Sequence, residues 1–208
     1  MKLFGDQNAF AIEYEFSLNS NNDTDGYIRL WVNGRNICGF NQNREDVCDL
    51  YHIVDWFCDK LDYILGYDPF PVPAEGLTAL ELMDNAYQYE TDDQLEFDLW
   101  YSALNRWNLN HCWLVARGGS VLPRAFFRRS NDSIELSWDN FFWEKHEITF
   151  QSRKGVYTVE YRTFLDILSE FLFSIIADLE SRVRSEERIR EIRSSKKHIN
   201  LMLKEWRA

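Results

Sequence analysis

The stretch that most constrains the fold lies past the middle of the chain, at residues 111–138, HCWLVARGGSVLPRAFFRRSNDSIELSW. Residues 111–116 are aromatic and β-branched and end at Gly118-Gly119. Residues 125–129 form a second short run, and Asn131-Asp132 is a turn pair. Beyond it Ile134, Leu136 and Trp138 alternate with Ser133, Glu135 and Ser137, the period of two that a sheet with one covered face requires. The spacing predicts three short strands joined by two turns.

The rest of the chain falls around this segment. Residues 10–18 alternate apolar and polar, which predicts a strand with one wet face. Residues 27–32 and 35–40 flank Asn33-Gly34, a pair that tolerates positive φ at both turn positions and signals a hairpin. The chain therefore opens as a three-stranded antiparallel meander. Residues 47–65 carry apolar side chains at helical spacing, with Asn43 as cap, Glu45 and Asp46 in the first turn, and Gly66 as the stop. Pro69, Pro71 and Pro73 make an extended connection. Thr78-x-x-Glu81 and Thr91-x-x-Gln94 read as capping boxes for a short helix to about residue 89 and a longer one to about residue 107. Residues 147–152 and 156–161 predict a further hairpin. Thr163 caps a deeply packed helix, and a charged helical arm follows. The expected class is α+β: an N-terminal meander, central helices, a second antiparallel β-segment and a long C-terminal helix. Residues 1–183 form one domain, or two lobes at 1–109 and 110–183, and residues 184–208 form the arm.

Charge is distributed unevenly. Residues 1–110 hold 20 acidic and 6 basic side chains, whereas residues 111–208 hold 14 and 17. From residue 43 to 98, fifteen carboxylates face only Arg44 and Lys60. Such a block repels nucleic acid and membrane phosphates and attracts a basic surface, or else simply solvates one face. Four cysteines lack C-x-x-C spacing, no apolar run is long enough to span a bilayer, and the N-terminal residues carry no signal-peptide pattern. A cytoplasmic protein with reduced thiols is the expectation.

No complete catalytic motif is present. G-x-S-x-G, P-loop, G-x-G-x-x-G and H-E-x-x-H are absent, and Gly118-Gly119-Ser120 reads as a turn. A magnesium nuclease core needs Glu-x-Lys on a strand, and Glu135-x-Ser137 and Glu160-x-Arg162 depart from it. His52, His111, His146 and His198 are isolated from one another in sequence. Cys48, His52, Asp55 and Asp59 fall on one line of the predicted helix, but this ligand set is incomplete, so no metal and no cofactor is expected. The same helix presents Asp49, Asp62 and Tyr63, and Trp56 amid carboxylates has the composition of a protein-binding hot spot unless the Pro-rich connection covers it. A second candidate surface combines Arg124, Arg128 and Arg129, interleaved with Phe126 and Phe127, with the seam Ile189, Ile192, Lys196, Ile199, Leu203 and Trp206 of the arm. The arginines either contact nucleic acid or pair with the acidic first half, and the net charge of -11 favours pairing. The seam either docks on its own domain or mediates self-association or partner binding.

The string G-G-S-V-L-P-R-A-F-F-R-R-x-x-x-x-I-E-L-S-W, with I-R-L-W-V-N-G-R upstream, resembles a region found in bacterial defence and toxin–antitoxin-type proteins, some of which carry an ImmA/IrrE-like metallopeptidase domain. That peptidase's H-E-x-x-H is absent, so the activity does not carry over. Small acidic immunity proteins of the same conflict systems are similar to this chain. The resemblance implies a non-enzymatic protein that binds another protein, occluding a basic effector through residues 43–98. The alternatives are a scaffold subunit of an antiphage complex and a nuclease-like enzyme whose site carries no recognised motif.

Overall fold

The computed structural model describes residues 1–20, 22–41 and 45–207, without the side chain of Arg207. Two antiparallel sheets and five helices make up an α+β fold. The first sheet has the order β1 (Lys2–Gly5), β2 (Phe10–Phe16), β3 (Asp25–Val32), β4 (Arg35–Asn36), and the two-residue β5 (Cys48–Asp49) pairs with the other end of β3. Asn33 at φ 50° and Gly34 at φ 73° turn β3 into β4, as the Asn-Gly pair predicts. The second sheet has the order β6 (Ala125–Ser130), β7 (Ser133–Asp139), β8 (Lys154–Glu160).

Helices α1 (Leu50–Leu65) and α4 (Tyr161–Arg182) supply the centre of the core. α1 packs on β3 and β6, and α4 packs on β1, β2, β7 and β8, so the two helices tie both sheets into one apolar cluster. Phe57 of α1 meets Trp113, Phe127 and Phe171, which join helix, sheet and helix around one ring. α2 (Ala79–Ala86) and α3 (Gln94–His111) cover the other face of β6 and β7 and build a smaller cluster around Trp107 and Phe126. α5 (Glu186–Arg207) packs along α1 and α4.

Several expectations are corrected. Residues 111–116 are not a strand. α3 runs on to His111, and Trp113–Arg117 is a 3-10 helix that Gly118 ends with φ 54°. A short apolar run with a buried Trp113 fits either form, and here just Cys112 bridges to Phe126. Residues 147–152 are not a strand either. A 3-10 helix at Phe141–His146 occupies the space before them, and Phe150 makes a single bridge to Phe40. α1 begins at Leu50 instead of near residue 45, because Cys48 and Asp49 are held in the sheet and Asp49 accepts from the Tyr51 N–H. The expected cap Asn43 lies outside the described residues. Thr78 and Glu81 do form a capping box. Asp93 caps α3 in place of Thr91, and Glu160 caps α4 in place of Thr163, since each carboxylate reaches two free N–H groups.

The expected wet faces of two strands are covered. Glu13 of β2 is buried, bound by Arg29, the Trp31 indole and Gln7. Glu135 of β7 pairs with Arg128 and accepts from the Ala79 N–H at 2.7 Å, while Ser137 accepts from the Leu80 N–H. The N-terminus of α2 therefore sits on a strand carboxylate, where the positive end of the helix stabilises the charge.

Candidate binding site

α1 buries ten residues and leaves a narrow polar ridge, because apolar side chains occupy most of its circumference. His52, Asp55, Asp59, Asp62 and Tyr63 lie on that ridge, half-buried at Asp55 and exposed elsewhere. α5 runs beside it and completes a groove of about 560 Å³ whose walls are Tyr51, His52, Asp55, Cys58 and Asp59 on one side and Arg188, Glu191, Ser194, Ser195 and His198 on the other. Arg188 and Glu191 also line an adjoining cavity of about 470 Å³ that reaches Asp49 and residues 22–24.

Three carboxylates, Asp55, Asp59 and Glu191, face one guanidinium in the groove. Arg188 stacks 4.3 Å over the Tyr51 ring and pairs with Glu191 at 3.2 Å. Burial, and then the charge of Asp59, push the Asp55 carboxyl above the usual carboxylate range. Desolvation pushes the Cys58 thiol up to about 12, so it stays protonated and is a poor nucleophile. His52 stands 3.7 Å from Asp49 and is approached so closely by Gly118 that a Cβ there would lie 2.7 Å from the ring. Among the described residues no cluster of three or more His, Cys, Asp or Glu side chains is arranged to hold a metal ion. Nor is any described helix long and apolar enough to cross a membrane.

The structure divides the candidate residues. His52, Asp55 and Asp59 share the groove, and Asp49 lies in the adjoining cavity. Asp62 is beyond it and accepts from the Trp206 indole at 3.3 Å. Tyr63 lies further along the same ridge, outside the groove, with its ring 6.5 Å from that of His111. Trp56 is not a surface anchor. It is 5% exposed, packed on Phe57, Trp113 and Phe127, and so covered by β6 and the 3-10 helix, not by the Pro-rich connection. Ile192 and Ile199 belong to the main core and offer no free surface. Arg124 pairs with Asp84 and Arg128 with Glu135, while Arg129 donates to the Leu65 carbonyl and lies over Tyr161. All three arginines are thus engaged within the fold. Cys48, expected on the helix line, is buried in β5.

Tyr51, Cys58, Arg188, Glu191, Ser194, Ser195 and His198 were missing from the sequence-derived set. The available signal was a polar stripe: Arg188, Glu191, Ser195 and His198 recur at three- and four-residue spacing beside the α5 seam.

Fold and groove together define an α+β protein with a helix-walled cleft that carries more acid than base. The chain belongs to the DUF5984 family, described as a family of unknown function, whose model matches residues 24–206. That match takes in the groove and both of its walls. No match was found among curated proteins or among solved structures.

Proposed function

We propose that this chain is a non-catalytic protein-binding component that receives a basic segment of a partner protein in the groove between α1 and α5. The observation that carries this reading is the excess of carboxylates at Asp55, Asp59 and Glu191, one of them desolvated enough to hold its proton more tightly. A cationic side chain placed there recovers that desolvation cost. Arg188, stacked on Tyr51 and paired with Glu191, already exhibits the contact a partner's arginine or lysine would make. The wider acidic block accelerates encounter within a Debye length of about 8 Å at physiological salt. The resemblance of residues 118–138 to conflict-system proteins supports an immunity-type role, with a basic effector as the occluded partner.

The test is binding kinetics at two salt concentrations with the protein that copurifies from the native host. Asp55→Lys with Asp59→Lys should slow association and flatten its salt dependence while the melting temperature is retained. If the double variant binds as the parent does, the groove is not the partner site.

A further inference from the structure

α3 carries two apolar faces. Leu104 and Trp107 turn into the α2–α3 cluster. On the opposite side Leu95, Leu99, Ser102, Arg106 and Leu109 follow one another at spacings of four, three, four and three, and all are exposed, the leucines at 69%, 64% and 45%. This is the spacing of a helix-pairing seam. No other element of the described fold covers it.

The seam is nearly symmetric about its middle. At a rise of about 1.5 Å per residue, Leu95 and Leu109 sit roughly 10 Å on either side of Ser102, and Leu99 and Arg106 roughly 5 Å on either side. Charge is divided by the same centre. Glu96 and Asp98 lie in the first half, and Arg106 is the one Arg or Lys of the helix. Asp98 is held in place by Gln94 at 2.8 Å.

We propose that α3 is a homodimer interface in which two copies of this chain pair antiparallel about Ser102. In that arrangement Leu95 of one copy meets Leu109 of the other, and Arg106 of each lies beside Asp98 of the other, its stem on Leu99. The small Ser102 lets the helices approach at the two-fold axis, as an isologous contact requires. Parallel pairing would instead stack Arg106 on Arg106 and gather the acids at one end, so charge selects the antiparallel form.

Sedimentation equilibrium on the full chain tests this. The parent should show a monomer–dimer equilibrium. Leu99→Glu, a change at an exposed position that leaves the monomer folded, should raise the dissociation constant by about tenfold or more. Arg106→Glu should weaken the dimer similarly, and Asp98→Arg added to it should restore pairing. All four native cysteines are buried, so Ser102→Cys adds an exposed thiol that should crosslink the dimer under oxidation. A parent that stays monomeric, a dimer indifferent to Leu99→Glu, a charge swap that fails to rescue, or a Ser102→Cys chain that does not crosslink would each overturn the proposal.

Discussion

Trp56 illustrates what neighbours in sequence conceal. It lies among Asp55, Asp59 and Asp62, yet its ring is 6.3 Å from that of Trp113 and 6.2 Å from that of Phe127, side chains supplied by parts of the chain far off in sequence. Helical periodicity placed it off the main apolar face because that face was defined by one contact direction, whereas α1 is packed from several. Among the described residues its indole N–H meets no acceptor, and neither does that of Trp113. Trp56→Ala should therefore destabilise the fold by about 3–5 kcal/mol through the cavity it leaves. Trp56→Phe should cost clearly less, since no hydrogen bond is lost with the nitrogen. Thermal unfolding of both variants decides it, and equal losses would show the N–H to be engaged. Asp55 behaves differently. Its folded-state pKa is raised, so its contribution to stability is full at acid pH, below the unfolded pKa, and is lost as pH rises through the folded value. Asp55→Asn should then melt above the parent at neutral pH, the gap closing in acid. A variant that melts below the parent at neutral pH would contradict the desolvation argument. Weaker partner binding by the same variant would mark the carboxylate as kept for function.

Among the elements, the strands with clean alternation and the Asn33-Gly34 hairpin were legible, because pleat and turn chemistry are local. β1 was not: three of its four residues are exposed and it carries no alternation. The covered side of β7 was also hidden, since Glu135 and Ser137 are polar and are satisfied by α2 from more than fifty residues away. α5 was legible as a seam, while its docking surface was not. Its apolar positions lie in the main cluster, with Ile199 fully buried and Leu203 2% exposed, and Lys196, the interruption in the seam, reaches across to Glu180 on α4 together with Arg193. The hydrogen bond from Lys196 holds Glu180 below the usual carboxylate range, so that contribution is present above the unfolded pKa and lost as pH falls through the folded one. The groove was half legible for the same reason: the α1 wall is one helix line, but its partner wall comes from a segment more than a hundred residues on. Removal of residues 184–208 should accordingly lower the melting temperature sharply, and Ile199→Asp should do so by burying an unpaired charge. A truncated chain that melts like the parent would show α5 to be peripheral to the core.

At the scale of the whole molecule, stability is concentrated unevenly. The main cluster draws on residues from Phe10 to Leu203 and joins both sheets to α1, α4 and α5. The α2–α3 layer rests on a separate cluster of eight buried residues, and α3 itself buries four residues out of eighteen where α1 buries ten out of sixteen. Polar contacts fasten the layer: Arg124 to Asp84, Glu135 at the start of α2, and the buried His111, which donates to the Phe127 carbonyl at 2.7 Å and faces Asp68 at 2.9 Å. Opening α2 and α3 therefore exposes less apolar surface than opening the rest of the molecule. Amide hydrogen exchange under native conditions should show α2 and the first half of α3 exchanging through sub-global opening, while β2, β3, α1 and α4 exchange only with global unfolding. Raising the protein concentration should selectively slow exchange in α3 if that helix pairs with a second copy, because binding stabilises the closed state by mass action. Uniform protection across all helices would show instead that the two clusters open as one cooperative unit.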